Sequence, residues 1–112
     1  MQGFEKVARI EELTKVPMIT FKEANEIAEL RQGLKVSDFF YWLRNVKQEF
    51  RCSPDCFYKL MGSDTKGFKS SARLQAAIEA GFVKSYSVRK YSRDIRYIEL
   101  TRKGEQVMFK AE

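Results

Sequence analysis

Ten basic side chains lie between Lys66 and Lys103: Lys66, Lys69, Arg73, Lys84, Arg89, Lys90, Arg93, Arg96, Arg102 and Lys103. Only Glu79, Asp94 and Glu99 oppose them, so this segment carries +7 while the rest of the chain sums to −1. Cations gathered in this way bind polyanions, because each Lys or Arg that neutralises a phosphate releases a condensed counterion. A well-solvated surface is the plain alternative for a charge excess alone. Tyr86, Tyr91 and Tyr97 are interleaved with the cations. Cross-strand packing accounts for Tyr86 and Tyr97, whereas Tyr91 sits where it would touch a ligand.

Other chemistry finds little support. The chain has no histidine and two cysteines, Cys52 and Cys56. A structural zinc site takes four Cys or His ligands, which leaves only a dimer pooling its thiols as a route to one. If the two cysteines share a helix, their spacing is a poor route to a disulfide, and reduced structural thiols are the expectation. There is no Gly-rich phosphate loop and no recognisable nucleophile motif. We therefore expect no catalytic residues, no metal and no cofactor.

The elements that must position the cations begin with one domain. The chain has 112 residues, 44% apolar and 32% charged, which suits one soluble globular unit over 1–112. No apolar run approaches the roughly 18–20 residues of a spanning helix. The first residues lack the apolar core of a secretory signal. A cytoplasmic location follows as the expectation, beside the nucleoid or, for a viral protein, in the host cytoplasm, with no membrane partner.

Phe4, Val7, Ile10 and Leu13 recur at helical spacing, predicting a first helix over about Gly3 to Thr14. Thr20 and Glu23 form a capping box for a second helix. Phe21, Ala24, Ile27 or Ala28, and Leu30 lie on one side of it, and it closes at Gly33. Ser37 is the expected N-cap of a third helix over about Asp38 to Arg51, with a core stripe of Phe39, Leu43, Val46 and Phe50. Phe40, Tyr41 and Trp42 crowd its other faces, either buried against the first helices or forming a dimer contact. Ser53 and Pro54 start a short helix near Pro54 to Met61, and Gly62 stops it. The next helix, about Phe68 to Ala80, buries Leu74, Ala77 and Ile78 and ends at Gly81. The period then changes to that of a β-hairpin, with strands near Phe82–Val88 and Ile95–Leu100 and a polar tip from Arg89 to Asp94. Thr101 caps a last helix from Arg102 to about Phe109.

The fold class is thus mostly α with a C-terminal β-hairpin. From Ser37 onward the element order resembles the winged helix-turn-helix family of DNA-binding domains. The tail, "RLQAAIEAGFV" followed by "IELTRKGEQVM", looks most like MarR-type regulators through Leu100, Thr101 and Gly104. The resemblance implies a winged-helix core over 37–110, with 1–36 as a helical extension and candidate dimerisation arm. It implies that Pro54–Met61 is the positioning helix, Phe68–Ala80 the recognition helix and Arg89 to Asp94 the wing. Two departures are the long linker "GSDTKGFKSS" and the helices before Ser37, which carry no family motif.

Helix geometry agrees with that assignment. With Leu74 inward, a rotation of about 100° per residue turns Lys69, Ala72, Ala76 and Glu79 outward, with Arg73 and Gln75 on the flanks. Two alanines would let the backbone approach a groove floor, and Arg73 and Gln75 would meet base edges. Lys66, Lys69, Ser70 and Ser71 lie at the amino end, where free amides favour phosphate. On the hairpin, Lys84, Arg89, Lys90, Tyr91, Arg93 and Arg96 would reach a minor groove or ride along phosphates. The expected function is sequence-specific binding of double-stranded DNA by a homodimeric transcriptional regulator. The alternative is a winged-helix protein-interaction module or a replication or plasmid-maintenance module that regulates no promoter. The DNA reading expects the helix and hairpin cations on one continuous face. Cations paired off with Glu11, Glu12, Glu23, Glu26 and Glu29 would favour the interaction module.

Overall fold

The computed structural model describes residues 1–62 and 72–109. The chain begins with α1 (Gly3–Thr14), whose Val7, Ile10 and Leu13 are buried as their spacing predicts. Helix α2 (Phe21–Arg31) is fixed by the predicted capping box. The Glu23 N–H donates to Thr20 Oγ1 at 3.1 Å, and the Thr20 N–H donates to Glu23 Oε1 at 3.0 Å. Ile27 is its one buried residue, and Phe21, expected on the inner side, is 84% exposed.

The third helix departs most from expectation. Helix α3 (Val36–Asn45) begins after Lys35, not Ser37, and the Asp38 carboxylate accepts the Lys35 N–H at 3.0 Å. It ends six residues before the expected Arg51 because the chain reverses at Gln48, which holds a left-handed φ of 60°. Val46 and Phe50, placed in the core stripe by sequence, are consequently about half exposed. The chain then enters β1 (Arg51–Cys52), a two-residue strand with no local sequence signal.

Phe39, Phe40 and Trp42 of α3 are buried, with Phe39 edge-on to Phe57 at 5.0 Å between ring centroids. Tyr41 packs on Phe4 of α1 at 4.8 Å. Burial within the chain accounts for the aromatic excess of this helix. Helix α4 (Pro54–Met61) starts as its sequence predicts, with the Cys56 N–H donating to Ser53 Oγ at 3.2 Å, and stops at Gly62 with φ of 77°.

Helix α5 (Ala72–Glu79) buries Leu74 and Ala77. The start expected at Phe68 lies outside the described residues. Its end is a left-handed cap: Gly81 has φ of 79°, and the Phe82 N–H donates to the Ala77 carbonyl at 3.0 Å. Strands β2 (Val83–Lys90) and β3 (Arg93–Leu100) form the hairpin, and β1 pairs with β3, giving the sheet order β1-β3-β2. Val83, Ile98 and Leu100 at the hairpin base join the common core with Leu74 and Ala77.

Helix α6 (Arg102–Phe109) follows directly. Thr101 ties three pieces together. Its hydroxyl donates to the Gly81 carbonyl at 2.6 Å and accepts the Gly104 N–H at 3.0 Å, and its own N–H donates to the Phe82 carbonyl at 2.9 Å. A Cβ at Gly104 would lie 2.0 Å from the Phe82 carbonyl oxygen, so only glycine lets α6 cross there. Arg44 of α3 pairs with Glu105 of α6 on the other side. The protein is therefore a mixed α/β structure of helices followed by a hairpin. None of the helices among the described residues is long and apolar enough to cross a membrane.

Candidate nucleic-acid interface

The hairpin decides where its cations point. Both strands run to the tip, and the turn is only Tyr91 and Ser92, with φ of 53° and 63°. Positive φ at both central residues is the geometry of a type I′ turn, whose twist matches that of the flanking strands. The six-residue tip loop expected from sequence is thus a tight two-residue turn closing a paired ribbon. Its polar residues Arg89, Lys90, Arg93 and Asp94 pair as strand instead.

Register then sorts the side chains, since alternate residues of a strand face opposite ways and directly paired residues share a face. Val83, Leu100, Ser85 and Ile98 form the inner face at the base. The same face continues past the core as Ser87, Arg96, Arg89 and Asp94. The outer face carries Lys84, Glu99, Tyr86, Tyr97, Val88, Ile95, Lys90 and Arg93. Arg51 joins the outer face by pairing with Glu99. The cations expected on one face are therefore divided, with Arg89 and Arg96 inside and Lys84, Lys90 and Arg93 outside.

Partners divide them further. Lys84 sits 3.6 Å from Glu99 and neutralises it. Arg89, Lys90 and Arg93 make no ion pair among the described residues, and Lys90 lies over the Tyr91 ring at 5.8 Å. Tyr91 itself is 83% exposed at the very end. Tyr86 and Tyr97 stack on each other across the strands, with centroids 6.0 Å apart. The N-terminal acids pair locally: Glu12 and Glu26 with Arg9, Glu11 with Lys15, and Glu23 with the Thr20 cap. They do not cover the ribbon.

On α5, Ala72, Ala76 and Glu79 are exposed as the helical rotation predicts, and so is Gln75, expected on a flank. Arg73 is exposed too, but its Nη1 donates to the Met61 carbonyl at 3.3 Å, capping the open end of α4. That bond positions α5 against α4 and draws the guanidinium toward one flank. An apolar cleft of about 810 Å³ runs along the same flank, lined by Leu34, Val36, Arg73, Ala76, Ala80 and Phe82 among others. Ala72, Gln75 and Glu79 lie on the side turned away from it. Lys66, Lys69, Ser70 and Ser71 fall outside the described residues.

The cysteines do not share a helix. Cys52 is buried in β1 and Cys56 is half-buried in the first turn of α4. The Cys52 thiol donates to the Cys56 sulfur, which pulls Cys56 below the usual thiol range and, with burial, pushes Cys52 up. Among the described residues no group of three or more His, Cys, Asp or Glu side chains could hold a metal ion. Sequence analysis missed Phe50 and Arg51, which flank the ribbon's outer face. The helical spacing from Phe39 assigns Phe50 to the α3 core stripe, which hides it as a site residue.

No protein-family model matches the chain, and neither the curated proteins nor the solved structures contain a significant match to it.

Proposed function

We propose that the protein is a winged helix-turn-helix regulator that binds double-stranded DNA in a sequence-dependent way. In this reading α4 positions α5 in the major groove, and the hairpin is the wing. The observation that carries the proposal is the ribbon paired up to a two-residue turn, whose end holds Arg89, Lys90 and Arg93 without carboxylate partners among the described residues. A ribbon entering a groove end-first meets a phosphate wall on each side. Cations on both of its faces then become useful, so an end-first approach replaces the single continuous face expected from sequence.

Base reading falls to Gln75, whose amide can pair with adenine, with Ala72 allowing close approach. Arg73 is a buttress that holds α5 on α4, so its loss acts through orientation of the helix. Arg96 and Arg89 extend the inner face toward the phosphates that flank the α5 site. The local pairing of Glu11, Glu12 and Glu26 supports DNA over a protein-interaction module, because the acids leave the wing uncovered. Dimerisation fits the N-terminal extension, where Val16, Met18 and Ile19 between α1 and α2 and Phe21 at the start of α2 are all exposed. Sedimentation of the parent and of Met18→Asp tests that part.

Selection from random duplex at two salt concentrations tests the whole. An enriched motif whose affinity falls steeply with salt is the expected result, with a log–log slope of about −0.9 per phosphate contacted. No enrichment, or a slope near zero, refutes the reading.

A further inference from the structure

The outer face of the sheet carries a second cluster, of which the duplex reading uses only Lys90. Phe50 and Arg51, on the way into β1, stand beside Val88 and Lys90 of β2 and Tyr97 of β3. Together with Gln48 and Glu49 they line an open cleft of about 740 Å³. Two aromatic rings reach this cleft and each is braced from elsewhere. Tyr86, which does not line it, stacks on Tyr97 with an interplanar angle of 27°. The Arg44 guanidinium lies over the Phe50 ring at 5.0 Å from its centroid. Phe50 is 49% exposed, so the core does not account for its position.

Two cations complete the cleft. Lys90 makes no ion pair among the described residues, and Arg51 donates to the Tyr86 hydroxyl at 3.4 Å without touching a carboxylate. The one acid in the lining, Glu49, is met by Lys47 at 3.9 Å. We propose that this cleft holds an unpaired base of a single-stranded nucleic acid, stacked on Phe50 and Tyr97 with its neighbouring phosphates on Arg51 and Lys90.

Three features select that occupant. The volume lies within the range of about 300–1,000 Å³ common to small-ligand sites, enough for a nucleotide. Braced aromatic rings on a sheet face form a platform on which bases of any identity stack. The adjacent cations favour an anionic partner over an apolar peptide, and a base held inside a duplex cannot present its face to the rings. The site shares only Lys90 with the duplex reading; its aromatic platform and Arg51 belong to neither α5 nor the ribbon end, so either reading can fail alone.

The test measures fluorescence anisotropy of the whole protein with a labelled oligothymidylate, an oligouridylate of equal length and an abasic strand with the same phosphates. The better of the two base-bearing strands should bind about tenfold or more tightly than the abasic strand, and its sugar tells DNA from RNA. Phe50→Ala and Tyr97→Leu should each reduce that advantage severalfold, while their circular dichroism and melting remain those of the parent. Arg89→Ala with Arg96→Ala should leave the advantage intact, and its loss of duplex binding bears only on the earlier reading. A strand carrying 5-iodo-substituted pyrimidine should crosslink under ultraviolet light at Phe50 or Tyr97, as located by mass spectrometry. Equal affinity for base-bearing and abasic strands overturns the proposal. Crosslinks confined to other residues overturn it as well, and that readout stands even if Tyr97→Leu unfolds.

Discussion

The N-terminal helices and the hairpin use the same charged residue types in opposite ways. In α1 and α2 a cation finds a nearby acid, as Arg9 does with Glu12 and Glu26 and Lys15 does with Glu11. On the ribbon Lys84 is matched by Glu99, and at the end Arg89, Lys90 and Arg93 make no ion pair among the described residues. Exposed ion pairs contribute little to stability, so neither arrangement is what holds the fold. The difference lies in what is free to meet a partner. Local pairing closes a surface, and a two-residue turn that carries cations past the last acid opens one.

Removing shared packing should have the largest effect, because both regions rest on one core. Phe39→Ala, which empties the contact with Phe57, should cost about 3–5 kcal/mol. Urea unfolding followed by circular dichroism checks this, and two separate transitions would show that the regions do not share a core. Next comes the ribbon. Arg89→Ala with Arg96→Ala should weaken duplex binding and lower the log–log salt slope by about 1 per lost phosphate contact, with an unchanged melting temperature. An unchanged slope would erase the functional contrast between the regions.

The α2 cap is a smaller effect and purely structural. Thr20→Ala should cost about 1 kcal/mol in urea unfolding and leave DNA affinity alone. The Thr20 backbone N–H holds the Glu23 carboxyl below its usual range. Its contribution is therefore present above the ordinary carboxylate value and lost as pH falls through the lowered one, so Glu23→Gln should flatten that part of the stability profile. Smallest of all is Arg9→Ala. The Arg9 pKa is raised by its hydrogen bonds to Glu26 and Glu12, and the side chain is exposed. Its removal should shift the unfolding midpoint less than Thr20→Ala does. A larger shift would mean that the paired charges hold α1 to α2 after all.

Much of this was legible from short-range signals. The Thr20–Glu23 box, the Ser53–Pro54 start and the glycines at 62 and 81 each act within one turn of the chain, and each is found where its residues predict. What escaped was set by distant partners. Apolar Val46 and Phe50 continue the α3 pattern, yet pairing of Arg51 and Cys52 with Glu99 and Ile98 pulls the chain out of the helix. The polar tip residues carry no strand preference of their own and become strand because each has a partner across the ribbon. Once the strand limits are known, simple alternation divides Arg89 and Arg96 from Lys90 and Arg93. The candidate site therefore depended on knowing where the turn lies, and no Asn-Gly or Asp-Gly pair marks it.

The junction at Thr101 and Gly104 has a mechanical consequence. One hydroxyl and one crowded carbonyl join the exit of α5, the root of the ribbon and the start of α6 at a single point. Eight residues of strand give a lever arm of about 27 Å beyond that fulcrum. A push at its tip would bear on the point where α5 ends.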